Sequence, residues 1–435
     1  MNDWVNMSPA GRQGTVLTAN FTRETIGPGG PMIGIDKEGA TIDAHVTPEV
    51  PPRGFSRAEL QQRSERAQKR MAASGLSALL LTCEPEFRYF SGFQSQFWES
   101  PTRPWFLVLP AQDKPIAVIP AIGQSGMEQT WIEDIRTWPA PRPEDDGISL
   151  LADTLRSAAG GKGRIGVPLG HESHLRMPAG DFLLLRAQLG GLELVDARPL
   201  LRTLMSIKSE AEIAKVRYIC RLVSDAFLAL PEQLSLYMTE RQACKRLQLD
   251  ILARGADSTP YLMGASGPGS YSSIIMGPTD RALIPGDVLI IDTGATYDGY
   301  FCDFDRNFAF GPPSAAAERA HAVVHAATDA GFSAARPGAT THQVWSAMWT
   351  VLEQGGALGN DVGRMGHGLG TQLTEWPSNM AGDETVLEPG MVMTLEPGME
   401  FAPEQLMVHE ENIVIRDTGP EWLTRRAPKD MPIIQ

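Results

Sequence analysis

The stretch Ile291-Asp292-Thr293-Gly294-Ala295-Thr296-Tyr297-Asp298-Gly299-Tyr300-Phe301-Cys302-Asp303-Phe304-Asp305-Arg306 constrains this chain more than any other. It reads as a strand, a turn and a return strand. Asp298-Gly299 has turn chemistry, which folds Asp292 back beside Asp303. The two-residue period of a strand puts Asp303 and Asp305 on one face and Arg306 on the other. Downstream stand Gly366-His367-Gly368, Glu396-Pro397-Gly398 and His409-Glu410-Glu411-Asn412. A lone Asp in a loop is usually a turn or cap residue, and a lone Glu at a strand end is usually solvated. The ordered set Asp, Asp, His, Glu, Glu over four segments is instead the donor set of a divalent metal pair, in which one carboxylate bridges the ions. Carboxylates with one imidazole suit iron, manganese, cobalt or zinc.

At 435 residues the chain is long enough for two domains. A net charge of −14 argues against nucleic acid as a partner, because phosphate wants a basic face. It leaves a small cationic substrate open. No apolar run is long enough to span a membrane. The N-terminal residues show no basic segment followed by an apolar core, and the four cysteines form no CxxC pair. The expectation is a cytoplasmic protein with reduced thiols.

Residues 1–54 are rich in Gly, Pro and Thr and read as an irregular arm. Residues 55–204 alternate helix and strand, giving an α/β first domain: a helix from Arg57 to Ser74, then apolar strands at Ala78 to Leu81, Phe106 to Leu109, Ile116 to Ile119 and Arg164 to Val167. Residues 205–435 form a second domain. Its helices are predicted at Lys208 to Leu230, Thr239 to Arg254 and Ala315 to Ala335. Its strands are predicted at Val288 to Asp292, Tyr300 to Phe310, Met391 to Glu396 and Met407 to Ile415.

The second domain resembles the pita-bread superfamily of methionine aminopeptidase, proline-specific peptidases and creatinase. The likeness rests on the Asp292…Gly299-Tyr300…Asp303…Arg306 segment, His367, Glu396-Pro397-Gly398 and the acids before Asn412. It implies a creatinase-like first domain, and an α/β (α+β) chain overall. It also implies metal-ligand roles for Asp292, Asp303, His367 and Glu396, and a homodimer in which one chain's first domain covers the other's site. The last ligand is either Glu410 or Glu411, since a small bulge would exchange them.

The peptidases of that superfamily add two proton-carrying histidines. Here Thr374 stands seven residues after His367, and Ile275 or Met276 stands where the other is expected. Asp305 replaces the usual Thr. An acid is gained and both neutral-pH proton carriers are lost, which disfavours amide hydrolysis. The segments Phe301 to Asn307, Leu373 to Asn379, Val408 to Asn412 and Leu423 to Pro432 resemble the DddP type of dimethylsulfoniopropionate lyase. That resemblance implies β-elimination of dimethyl sulfide to leave acrylate, with iron favoured. A proline-specific peptidase or an inactive binding domain is the alternative. A sulfonium would be held on aromatic faces, with Trp98 and Trp376 the candidates. Tyr271 and Tyr300 would stabilise developing charge. The base would be Asp305, which is also a candidate extra ligand, or Glu375 or Asp383.

Overall fold

A computed structural model describes residues 49–359 and 363–435. Most of the arm expected over residues 1–54 lies outside them. The first domain is built on a six-stranded sheet of β1 (Ala78–Leu81), β2 (Phe106–Pro110), β3 (Ile116–Pro120), β4 (Asp134–Trp138), β5 (Gly163–Val167) and β6 (Leu192–Asp196), in the order β4-β3-β2-β1-β5-β6. Alternation along its central strands fills both faces. Leu79, Leu81, Leu107 and Leu109 pack beneath α1 (Arg57–Ala73), α2 (Glu84–Ser91) and, beyond a short α3 (Gln124–Met127), α6 (Arg198–Ser206). Ala78, Leu80, Phe106 and Val108 pack against α4 (Ile148–Ala158) and α5 (Ala179–Gln188).

The second domain opens with α7 (Glu210–Ala229), started by a capping box between Ser209 and Glu212. Then come α8 (Glu240–Arg254), β7 (Ser258–Pro268), β8 (Asp287–Tyr297), β9 (Tyr300–Phe301) and β10 (Phe304–Phe310). Helices α9 (Ala315–Ala334) and α10 (Thr341–Gln354) follow. The rest is strand: β11 (His367–Gly368), β12 (Glu375–Ser378), β13 (Val392–Leu395), β14 (Gly398–Ala402), β15 (Gln405–Val408), β16 (Glu411–Arg416), β17 (Gly419–Trp422) and β18 (Ile433–Ile434). One sheet runs β18-β10-β8-β7 with β9 on β8; a second runs β12-β11-β13-β16-β17. Leu289 and Ile291 of β8 join α7 and α8 in one core, while Val288 and Ile290 join α9 and α10 in another. The sheets are therefore buried on both sides, between two helix pairs.

Two predicted strands are broken where the acids sit. The return arm divides into β9 and β10, with Asp303 in the gap between them. The predicted strand over Met407 to Ile415 divides into β15 and β16, with Glu410 in that gap. The Asn412 side chain holds the first break in shape. Its Oδ1 accepts from the Asp303 backbone N–H at 3.0 Å, and its Nδ2 donates to the Asp303 carbonyl. Asn412 is fully buried, so removing the amide strands two backbone groups at about 1–3 kcal/mol each. Asn412→Ala is expected to lower unfolding free energy by at least about 2 kcal/mol in urea titration. An unchanged midpoint would mean that Asp303 is held by something else.

Candidate metal centre

Four backbone devices bring the acids together. Asp298 (φ 47) and Gly299 (φ 70) make the turn between β8 and β9, and the register of β8 on β10 sets Asp305 directly across from Asp292. Leu395 pairs with Glu411 at the end of the β13–β16 ladder, so Glu396 and Glu410 leave it side by side. His367 arrives on β11, whose Gly368 pairs with Met393. Both glycines around His367 are required. At Gly366 (φ 114) a Cβ would sit 2.2 Å from the Thr394 carbonyl oxygen, and at Gly368 one would sit 2.4 Å from that of Trp376.

Asp303, His367 and Glu410 each offer a donor atom within 4.8 Å of the others. His367 Nε2 lies 3.5 Å from Asp303 Oδ2, and its Nδ1 is fastened to the Gly368 carbonyl at 2.9 Å. That second contact leaves Nε2 as the free donor. Asp292 and Glu396 complete the group, and both are half-buried where the other three are buried.

The electrostatics of the group are those of a site made for cations. Asp292 Oδ1, Asp303 Oδ1, Asp305 Oδ1 and Glu410 Oε1 are buried with no hydrogen-bond partner. Burial, followed by repulsion among the acids, pushes Asp303, Asp305 and Glu410 well above the usual carboxyl range. The same two effects take Glu396 to about 8. Burial takes Asp292 to about 6 against the hydrogen bonds it accepts from Tyr261 and the Thr293 backbone N–H, and takes His367 down to about 4. Native proteins rarely leave buried polar atoms unpaired. Orphaned oxygens on Asp292, Asp303 and Glu410, gathered with one imidazole, fit divalent ions, and these residues would hold them.

The choice between Glu410 and Glu411 is made by counterions. Burial alone would raise the Glu411 carboxyl, but Arg306, His409 and Arg426 outweigh it and hold it low. Arg306 lies 3.0 Å away and Arg426 3.2 Å. Glu411 is thus spent on the ion pairs, while Glu410 faces the cluster. Asp305 stays beside the set, with His409 Nδ1 4.0 Å behind it.

The other expected site residues are placed elsewhere. Glu375 is buried in a 2.7 Å ion pair with Lys208 and accepts from the Thr371 and Gln372 N–H groups, so it is not a free base. Asp383 caps a turn through Thr385 N–H and its carbonyl meets the start of α10. Trp98 packs against Phe87 and Trp105 with the Arg176 guanidinium over its ring at 5.1 Å. Trp376 carries Arg202 at 5.3 Å. Each of these two tryptophans already faces a cation. Tyr271 hydroxyl donates to Asn307 and accepts from Val408 N–H, and Tyr300 hydroxyl donates to Glu212; both rings are buried. Ile275 and Met276, counted as replacing a histidine, are exposed. The polar group that does reach Asp292 is Tyr261 on β7, where Met263 pairs with Asp292 and Tyr261 with Gly294. Sequence reading passed over it, although a tyrosine in a strand beside the acid-bearing one is a usable signal. The four cysteines are buried and unpaired. Among the described residues no helix is long and apolar enough to cross a membrane.

Comparison with known proteins places this geometry. A family model described as metallopeptidase family M24 matches residues 214–417, and one described as the creatinase/prolidase N-terminal domain matches residues 63–206. The probable dipeptidase PepE of Mycobacterium tuberculosis is 30% identical over 365 residues, covering 83% of this chain and 93% of that protein. The chain belongs to metallopeptidase family M24. Its fold is accordingly a creatinase-type N-terminal domain followed by a pita-bread domain. The crystal structure of dipeptidase PepE from Mycobacterium ulcerans superposes with a TM-score of 0.77 at 28% identity, covering 88% of this chain and 99% of that one. The agropine synthesis cyclase of Rhizobium rhizogenes is 27% identical over 389 residues, covering 84% of this chain and 95% of that protein.

The raised carboxyls give a signed pH prediction. Glu396 titrates at 4.5 in the unfolded chain and at about 8 in the fold. Between those values the metal-free fold keeps a proton that the unfolded chain has lost, so its stability falls as pH rises. The lowered His367 acts oppositely, below pH 6.5. Metal-free protein is therefore expected to lose Tm from about pH 6.5 to 8, and manganese or cobalt to remove that slope. Asp303→Ala should bind less metal with an unaltered circular dichroism spectrum. A metal-free Tm that climbs over this range contradicts the reading.

Proposed function

We propose that this protein is a metal-dependent hydrolase of a peptide-type C–N bond in a small substrate. The observation that carries the reading is the Asp292, Asp303, His367, Glu396 and Glu410 cluster, with its unpartnered buried oxygens, in a metallopeptidase fold. Divalent ions held there, of which manganese, cobalt, zinc and iron all suit the donors, would supply Lewis-acid polarisation of a carbonyl and acidification of water. The chain's own residues handle the protons. Asp305 keeps an unpartnered oxygen beside the set and accepts one. Tyr261 is kept protonated by burial and by Asp292, on which its one hydroxyl proton rests, and on substrate entry that proton turns to an oxygen that gains charge. These two groups stand in for the histidines that Thr374 and the Ile275-Met276 segment lack.

The dimethylsulfoniopropionate lyase remains the second reading. Thr374 and the added Asp305 favour it, and the agropine synthesis cyclase is a relative not named as a peptidase. Against it, Trp98 and Trp376 are covered by arginines and Glu375 is neutralised by Lys208. Metal-loaded protein is expected to release free amino acids from one or more of a panel of dipeptides, Xaa-Pro compounds included, and no dimethyl sulfide into the headspace. Tyr261→Phe should lower kcat about a hundredfold with KM nearly unchanged, the scale of losing one oxyanion donor. Dimethyl sulfide release without dipeptide hydrolysis would reverse the ranking.

A further inference from the structure

A cavity of about 100 Å³ is walled by β10 at Arg306, by α7 at Phe227 and Leu228, by α9 at His321 and by the segment after β17 at Arg425 and Arg426. Neither Asp292, Asp303, His367, Glu396 nor Glu410 is part of its wall. Leu228, in the last turn of α7, is 52% exposed and stands at its mouth. Most of the lining is apolar, with a few polar groups among it, which is the make-up of a small-molecule site.

The charges of that lining have one sign. Among the described residues it contains three arginines and neither Asp nor Glu. Arg306 and Arg426 share a single buried acid, Glu411. The second acid on Arg426, Asp329, is 55% exposed and therefore screened by water. Two guanidiniums on one buried carboxylate leave a positive surplus at the cavity.

His321 supplies the hydrogen-bonding group. It is buried, and neither of its ring nitrogens completes a hydrogen bond among the described residues. Burial, followed by His325, takes the imidazole down to about 4, although the nearby Pro428 carbonyl favours its proton. Near neutral pH it therefore presents one N–H donor and one bare acceptor. Native proteins rarely leave such a group without a partner, and this wall gives it none. A free amino acid does not fit, because its ammonium would meet no acid. Size sets the body of the ligand: a dry cavity of roughly 150 Å³ takes benzene, so this one takes a branched chain of about four carbons.

We propose that this cavity is a binding site, separate from the metal centre, for a short branched monocarboxylate whose carboxylate accepts from His321 beside Arg306 and Arg426. The assignment holds whichever bond the metal centre breaks. The test is titration calorimetry of isovalerate and isovaleramide into metal-loaded full-length wild type, H321F and L228W. Wild type should bind isovalerate with a Kd below about 1 mM and the amide at least tenfold more weakly. H321F removes the donor and L228W fills the mouth, and each should weaken isovalerate at least tenfold with metal content and circular dichroism unchanged. If H321F loses its fold, L228W decides. Carboxylates also bind metal ions, so a wild-type signal that L228W keeps in full comes from the metal centre and overturns the proposal. Equal affinity for acid and amide, or no uptake by wild type, overturns it too. In soaked crystals, isovalerate against His321 supports the assignment, and isovalerate on the metal ions alone contradicts it.

Discussion

The mutual repulsion of carboxylates taken out of water governs the second domain. Asp292, Asp303, Asp305, Glu396 and Glu410 converge from two strand pairs, and among the described residues no arginine or lysine pairs with their carboxylate oxygens, Arg306 reaching only the Asp305 and Glu410 backbone carbonyls. Charges so placed raise one another's proton affinity and weaken the fold that holds them. The surrounding structure resists. Asn412 fastens the backbone of Asp303, two glycines let β11 approach its neighbours, and sheets buried on both faces keep the strands from parting. Divalent ions held there would convert that strain into binding, because each would replace several repulsions by attractions at once.

A neighbouring set of acids shows the contrast. Glu411 has Arg306 and Arg426, Glu375 has Lys208, and Asp298 has Lys215 at 2.7 Å. Each is neutralised by a side chain from a distant segment, so each is a brace. Acids with a partner hold the structure together, and acids without one form the site. That distinction separates Glu410 from Glu411 although the two are adjacent in the chain.

It also shows what could be read from residues alone. The strand and turn around Asp298-Gly299 were legible because the turn chemistry is local, and so was the start of α7 at Ser209 and Glu212. The order Asp292, Asp303, His367, Glu396 carried the expectation of a metal centre, and the fold brings Asp303 and His367 together with Glu410. The breaks at Asp303 and Glu410 were not legible, since alternation runs on unchanged where the chain leaves its ladder. Trp98 and Trp376 looked like open faces because Arg176 and Arg202, which cover them, are remote in sequence. Tyr261 escapes a sequence reading for the same reason: its contact with Asp292 comes from the pairing of β7 with β8, and no local pattern specifies that register. The substrate is harder still. Proton-carrying residues can be replaced by others in new places, so the loss of histidine at Thr374 does not by itself name a reaction.

Anomalous diffraction from crystals grown with manganese or cobalt tests the central claim most directly. Two ions are expected about 3.5–4 Å apart, held by Asp292, Asp303, His367, Glu396 and Glu410, with Glu411 still on Arg306. An empty cluster in metal-saturated crystals, or ions held by Glu411 while Glu410 turns away, would contradict it.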